Sequence, residues 1–347
     1  MDHLANCTKG AASGSLPCYN KDTQERCMTA NTHLEHPEDL IFDESPKDVL
    51  DSLLSVSKVS VKWDGAPALV WGNCPSTGRF FVGTKSVFNK RKIKINYNHH
   101  DIDRNHEGEV AKILHIAFEC LPIPTYGYLQ GDFIGFGGVD TFRPNTIQYK
   151  FPFVIDHSII VALHTSYTGG FLDAEPKFGI CPNAISWKVR RMDQCYLIDT
   201  TDSYIRSTIT NLDKFIIKTK IRLLSKVATF PTARVTRQYF KTHVNKFIRT
   251  ETELPSASEL YNSLPDKYKG EANINLFRIY HIIYNLKNRL LGDIVINNQA
   301  ECFINDQPTD HEGFVSTETT LVYKIVNRLG FSKANFTLDK NWTNEKV

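Results

Sequence analysis

Three features are missing from the sequence, and each absence excludes a class of protein. The longest apolar run is Ile159 to Leu163, whereas a membrane-spanning helix needs about 20 apolar residues. None of the eight cysteines is spaced C-x-x-C, which excludes the common zinc-finger and zinc-ribbon patterns. The formal net charge is only +3, so the chain is not a uniformly basic nucleic-acid binder.

Length and composition predict a folded protein inside the cell. The 347 residues include 21 Phe and 14 Tyr, enough apolar surface for a sizeable core and for two domains or one domain with a large insertion. Residues 1–20 contain one lysine and no apolar segment of the kind found in secretory signals. We therefore expect reduced thiols, a cytoplasmic location (that of the host if the protein is viral), a monomer and no membrane association.

The spacing of apolar residues divides the chain into four parts. Residues 1–30 are polar and predict a flexible tail. Residues 31–200 have mostly β character, with helical spacing at 34–54 and 107–120. Residues 201–300 nearly lack glycine and predict an inserted helical domain, after which residues 301–347 return to β character. We thus expect an α+β fold in which a helical block interrupts a core of sheets.

The tetrapeptide Lys62-Trp63-Asp64-Gly65 lies between two short apolar strands. A lysine at the end of a strand, where the chain turns through a glycine, can face a pocket. Burial and neighbouring cations lower the pKa of a lysine amine, and a neutral amine is a nucleophile. Taken alone, K-x-D-G is a common pattern, for which a solvated turn lysine is the ordinary alternative.

Further charged residues follow in order along the chain. Lys85 comes about two dozen residues after Lys62, and Asp132 follows Gly131 within an apolar strand. Near the end, Glu312 begins the stretch Glu-Gly-Phe-Val, and Lys324 lies inside another apolar strand. A lone lysine among apolar residues is costly to bury without a partner, which indicates a phosphate or a carboxylate nearby.

This ordered set resembles the covalent nucleotidyltransferase superfamily of ATP-dependent RNA and DNA ligases and mRNA capping enzymes. The resemblance covers residues 58–165 and 308–328 and implies an ATP-grasp-like ligase adenylation core of antiparallel sheets. Lys62 matches motif I, and Lys85 matches the basic residue that follows it. Asp132 matches motif III, Glu312 motif IV and Lys324 motif V. The stretch His33–Asp39 is also similar to tailed-phage proteins, which implies a phage or viral source.

The resemblance implies an RNA-repair reaction that proceeds through a covalent intermediate. Lys62 would attack the α-phosphate of ATP to form lysyl-AMP, AMP would pass to a 5′-phosphate end, and a 3′-hydroxyl would displace it. Lys324 would neutralise charge on the α-phosphate. Asp132 and Glu312 would hold Mg²⁺ (or Mn²⁺) or the ribose hydroxyls. The residues implied in nucleotide binding are Asp64, Gly65, Lys85, Asp132, Tyr149, Glu312 and Lys324, with Phe151 or the strand Ile159–His164 as alternatives to Tyr149 for stacking on the base.

The motifs also depart from the family pattern. Motif III usually has Glu where this chain has Asp132. Motif V usually has a second lysine, which this chain lacks, so Arg328 or the basic insertion would have to supply the missing charge. About twenty residues follow motif V, too few for the additional domain of DNA ligases and capping enzymes, which favours an RNA-ligase type. The alternatives are a capping-type guanylyltransferase, adenylylation of another acceptor, and a non-catalytic nucleic-acid-binding protein on a ligase scaffold.

Positive charge is concentrated in the helical block. From Lys214 to Arg249 there are ten Lys or Arg residues and no Asp or Glu. Like charges on one helix face repel, so we expect a nucleic-acid phosphate backbone as their partner. We favour RNA over DNA. The alternative is that this face is simply solvated. The predicted nucleic-acid contacts are Lys218, Arg222, Lys226, Arg234 and Arg237. A second basic cluster spans residues 85–94.

Overall fold

The computed structural model describes residues 34–250, 253–297 and 300–330. The fold is α+β, with nine α-helices and seventeen strands in these ranges. None of these helices has both the length and the apolar composition needed to cross a membrane. The predicted tail, residues 1–30, lies outside the described residues.

The elements are numbered in chain order. The helices are α1 (Pro37–Leu40), α2 (Pro46–Ser55), α3 (His99–Asn105), α4 (Gly108–Cys120), α5 (Asn211–Ser225), α6 (Arg234–Thr250), α7 (Ala257–Asn262), α8 (Asp266–Lys269) and α9 (Ile274–Gly292). The strands are β1 (Val59–Lys62), β2 (Ala68–Asn73), β3 (Phe80–Thr84), β4 (Ile123–Pro124), β5 (Tyr128–Gly135), β6 (Val139–Phe142), β7 (Gln148–Ile155), β8 (Ile159–Thr168), β9 (Glu175–Phe178), β10 (Trp187–Val189), β11 (Cys195–Asp199), β12 (Ser203–Ile205), β13 (Ile294–Ile296), β14 (Glu301–Ile304), β15 (Gln307–Thr309), β16 (Gly313–Ser316) and β17 (Lys324–Ile325).

The largest sheet has six strands in the order β11-β8-β5-β2-β3, with β9 also paired to β8. Its pairs are antiparallel except that β11 runs parallel to β8. The expectation of purely antiparallel sheets is therefore wrong at this edge, where the long segment between the two strands provides the crossover that a parallel pair needs. Helix α4 covers one face through Ile113, Leu114 and Ala117.

A separate three-stranded sheet, in the order β1-β16-β17, joins the two distant parts of the core. β1 and β16 are antiparallel, with Val59 opposite Ser316 and Lys62 opposite Gly313. A four-stranded sheet has the order β15-β14-β7-β6. Its strand β7 contacts the motif I turn through Tyr149. The same sheets therefore contain strands from before and after the helical block.

The helical block emerges from and returns to one antiparallel pair, β12 with β13. Helix α9 is its centre, with Leu276, Phe277 and Tyr280 fully buried in the core it shares with α1 and α2. Ser256 and Glu259 form a capping box at the start of α7. The helical segment expected over 34–54 forms two helices, because the Ser45 side chain caps a new helix that begins at Pro46.

A fully buried charge cluster connects α1, α9 and the segment after β17. Glu38 Oε1 lies 3.1 Å from Lys287 Nζ and 3.0 Å from Arg328 Nη1, and Asp39 Oδ2 lies 3.1 Å from Arg328 Nη2. Lys287 also donates to the Val326 carbonyl oxygen. Because buried ions are tolerated only when paired, this cluster fixes the C-terminal strands against the helical block.

Removal of one member should therefore destabilise the whole fold. We expect Lys287→Met to lower the free energy of unfolding by about 3–5 kcal/mol, since Glu38 would lose a partner that is buried with it. Urea unfolding followed by circular dichroism measures this change. The control Lys269→Met removes a surface ion pair with Asp266 and should leave the free energy of unfolding nearly unchanged. Equal losses in both variants would contradict the role of the buried cluster.

Candidate active site

Lys62 is the last residue of β1, and its side chain extends toward the start of β16. Its Nζ donates a hydrogen bond to Glu312 Oε2. The lysine side chain is 34% exposed and that of Glu312 is 12% exposed, so the amine is held but still accessible. Gly313 allows this arrangement, because a Cβ at this residue would lie 2.5 Å from the Ile325 carbonyl oxygen.

Carboxylates around the Lys62 amine keep it protonated. Burial acts to lower the pKa of Lys62, but Glu312 outweighs it, assisted by Asp132 and Asp64, so the pKa lies above its ordinary value. The expectation of a lowered pKa is therefore wrong for the free protein. A protonated amine is not a nucleophile, so attack by Lys62 requires a ligand that competes for these carboxylates.

Asp132, on β5, faces the same space from the large sheet. Its Oδ2 lies 3.6 Å from Nε2 of His164 on β8, and His164 Nδ1 is 2.7 Å from Thr165 Oγ1. Burial acts to raise the pKa of Asp132, but His164, Lys62 and Lys85 together hold that pKa below its ordinary value. Sequence reasoning named His164 only as the end of a stacking strand, although it is the first polar residue after a run of apolar ones.

Lys62, Asp132 and His164 line one cleft with a cavity volume of about 160 Å³. Lys85 and Lys324 contribute further cations, and burial next to Lys62 and Arg328 lowers the pKa of Lys324. The structure thus brings together the predicted residues Lys62, Lys85, Asp132 and Lys324, with Glu312 bonded to Lys62.

Two predicted nucleotide contacts in motif I have structural partners instead. The Asp64 carboxylate accepts hydrogen bonds from the Asn145 side chain and from the backbone N–H groups of Thr146 and Ile147. It therefore fastens the turn before β7. At Gly65, a Cβ would lie 2.7 Å from both Asp132 Cβ and the Phe133 carbonyl oxygen, so glycine is needed for the close approach of motif I to β5.

Tyr149 cannot stack on a base. Its ring is fully buried, 4.5 Å from the ring of Trp63, and its hydroxyl accepts a hydrogen bond from the Asp64 backbone N–H at 2.7 Å. The prediction for Tyr149 is wrong, and Phe151, also buried against Trp63, is no better placed. The aromatic side chains that do line the cleft are those of Trp63, His164, Tyr167 and Phe178.

The second cation expected for motif V is not supplied by Arg328. Its side chain is 2% exposed and is bound by Glu38 and Asp39. Its guanidinium is therefore committed to the buried cluster. Lys324 lines the cleft.

The basic helices are partly neutralised by the acidic stretch that includes α1 and α2. Lys218 Nζ lies 3.0 Å from Asp51 Oδ1, and Arg237 Nε lies 3.0 Å from Asp43 Oδ1. Asp43 also pairs with Lys241. Lys218 and Arg237 therefore have acidic partners within the protein, and their predicted contacts with nucleic acid stay predictions. Arg222, Lys226 and Arg234 are exposed.

The cleft offers two protein carboxylates to a metal ion, those of Asp132 and Glu312. Within the described residues, no group of three or more His, Cys, Asp or Glu side chains converges on a point where an ion could sit. Mg²⁺ commonly takes one or two carboxylates and completes its shell with water and phosphate oxygens. The donor set therefore fits a cation shared with a bound polyphosphate better than a resident ion.

Comparison with known proteins gives one family. A family model described as a family of unknown function (DUF6267) matches residues 31–340. No curated protein and no solved structure matches the chain significantly.

His311 makes the motif I region sensitive to acid. It lies against Trp63, with ring centroids 5.2 Å apart, and burial lowers its pKa from 6.5 to about 4. Below pH 6.5 the unfolded chain gains a proton that the folded chain does not, so stability falls as the pH drops toward 4, by about 3 kcal/mol from this group.

We expect His311→Phe to reduce that loss, because phenylalanine keeps an aromatic ring but takes up no proton. Urea unfolding at several values between pH 7 and pH 4.5 measures the effect, with exposed His100→Phe as the matched control. If the His311 variant loses as much stability on acidification as the wild type, the assignment is wrong.

Proposed function

We propose that this protein, which belongs to the DUF6267 family of unknown function, is an ATP-dependent nucleotidyltransferase of the RNA ligase type. The observation that supports this most is the convergence of Lys62, Asp132 and Lys324 on one cleft, with Glu312 bonded to Lys62. These residues come from strands of two sheets and from both ends of the chain. Their order and types resemble the motifs of covalent nucleotidyltransferases, with Asp132 in place of the usual Glu and one motif V lysine instead of two.

In the proposed first step, Lys62 Nζ forms a bond to the α-phosphorus of ATP while the bond to the β-phosphate oxygen breaks. Pyrophosphate leaves. The ammonium group of Lys62 gives one proton to solvent before the attack and a second as the phosphoramidate forms. Lys324 stabilises the negative charge on the α-phosphate. Lys85 and His164 contact the nucleotide from the cleft wall. Mg²⁺ or Mn²⁺, held by Asp132 and Glu312, would supply further charge neutralisation at the phosphates.

In the second and third steps, AMP passes from Lys62 to a 5′-phosphate end, and a 3′-hydroxyl then displaces it. The phosphoramidate bond breaks as a 5′-phosphate oxygen attacks, which regenerates the lysine. We propose that RNA reaches the cleft along the basic segment after Lys85, where Lys90, Arg91 and Lys92 are exposed. Transfer of GMP to a capping end, transfer of AMP to another acceptor, and binding without catalysis are the alternatives.

Covalent labelling distinguishes these functions. With α-³²P-ATP and Mg²⁺, we expect a label on the denatured protein that is acid-labile and base-stable, as a phosphoramidate is. Lys62→Ala and Lys62→Arg should both abolish it, since neither offers a neutral primary amine. The control Lys58→Ala removes an exposed lysine on the same segment, paired with Glu318, and should label normally.

Parallel reactions with α-³²P-GTP test the capping alternative. Labelling by GTP but not ATP would support a guanylyltransferase. No label from any nucleoside triphosphate would reject an enzyme of this type and leave the non-catalytic alternative.

RNA binding should depend on the basic segment. We expect a Lys90→Glu, Arg91→Glu, Lys92→Glu variant to bind a 5′-phosphorylated RNA more weakly and to reduce the salt slope by about 3, roughly one for each lost phosphate contact. Fluorescence anisotropy at several salt concentrations measures both quantities. The same reversal at Arg222, Lys226 and Arg234 tests the predicted helix interface, with Lys267→Glu as a surface control. An unchanged salt slope in the variant with Glu at positions 90, 91 and 92 would contradict the proposed RNA path.

A further inference from the structure

Helix α5 presents a row of apolar side chains to solvent. Leu212 is 67% exposed, Phe215 68% and Leu223 59%, while Ile216 is 40% exposed and Val227, just beyond the helix, 59%. Single exposed apolar residues are ordinary, whereas several on one face of one element mark an interaction surface. None of these residues lines the cleft.

The exposed row runs along the helix, with the polar residue Thr219 between Ile216 and Leu223. At 3.6 residues per turn, Leu212, Ile216 and Leu223 project within about 40° of one another, with Phe215 beside them. The opposite face of α5 already packs into the protein core through Ile217, Ile221 and Leu224. The outer row is therefore a second apolar face that residues 34–250, 253–297 and 300–330 leave uncovered.

Cations border this row on both sides. Arg222 and Lys226 project on one side of the row and Lys220 on the other. All three are exposed, and none forms an ion pair with another described residue. Lys218, nearer the packed side of α5, is instead paired with Asp51.

We propose that the outer face of α5 is a docking seam for an acidic amphipathic helix of a partner protein. The seam consists of Leu212, Phe215, Ile216, Leu223 and Val227 with their flanking cations. A narrow apolar stripe between charged flanks is the pattern by which one helix packs along another, and the sign of the flanks selects the partner. Cationic flanks select acidic ones.

The same features disfavour other occupants. A second copy of the chain would bring cations against cations. RNA would gain little from aliphatic side chains, because its affinity depends mainly on phosphate contacts. A lipid surface favours helices with several aromatic side chains at the interface, whereas Phe215 is the one aromatic residue of this stripe.

Two synthetic helices test the seam. Both have a leucine stripe; one has glutamate at the flanking positions and the other lysine. We expect the full-length protein to bind the glutamate helix at least about tenfold more tightly, as measured by titration calorimetry. Leu212→Gln with Leu223→Gln should weaken this binding at least about tenfold, or about 1.4 kcal/mol, while Arg222→Glu with Lys226→Glu should reverse the preference to the lysine helix.

Matched controls distinguish binding at the seam from nonspecific hydrophobic binding and from effects of misfolding. Val154→Gln alters an apolar residue that is also 59% exposed, and it should bind the glutamate helix as the wild type does. Circular dichroism should show all variants folded, since every mutated residue is exposed. The proposal is overturned if neither helix binds, if both bind equally, or if the double leucine variant binds unchanged. Association with phosphatidylglycerol vesicles, single-stranded RNA or itself that depends on Leu212 and Leu223, without binding to the glutamate helix, would also overturn it.

Discussion

The ion pair between Lys62 and Glu312 joins residues that lie 250 positions apart, and the geometry of the cleft depends on it. It forms because β1 and β16 pair in one register, with Gly313 opposite Lys62. The buried cluster holds β16 and β17 in this register, because the carboxylates of α1 bind Arg328 just after β17. The helical block is thus not a separate attachment, since α9 contributes Lys287 to the cluster that holds the last strands in place.

The same ion pair gives the free protein a protonated lysine. Glu312 and Asp132 both attract the amine of Lys62 and are also the two carboxylates suited to a shared cation. A cation and a polyphosphate that enter together would occupy these carboxylates and release the lysine from them. In the proposed function, nucleophile activation is therefore coupled to substrate binding, and the resting protein is protected from unproductive reaction.

Much of the candidate site could be predicted from the sequence, because each motif sets a charged residue at a strand end or within an apolar strand. Lys62, Asp132 and Lys324, which this pattern singles out, line one cleft, and the helical spacing over 107–120 corresponds to α4. Burial could not be predicted in the same way. Tyr149 and Arg328 are types that contact nucleotides elsewhere, but here tertiary packing encloses them. The ion pairs of the basic run could not be predicted either, because Asp51 and Asp43, the partners of Lys218 and Arg237, lie far away along the chain.

The central claim is that Lys62, among the three lysines of the cleft, accepts the nucleotidyl group. The most direct test is peptide mass mapping of the wild-type protein after incubation with ATP and Mg²⁺ and a base-stable digest. The account predicts a mass increase of one AMP moiety on the peptide that contains Lys62, with fragment ions that assign it to that residue. AMP found on Lys85 or Lys324 instead, or no AMP on any peptide, would contradict it.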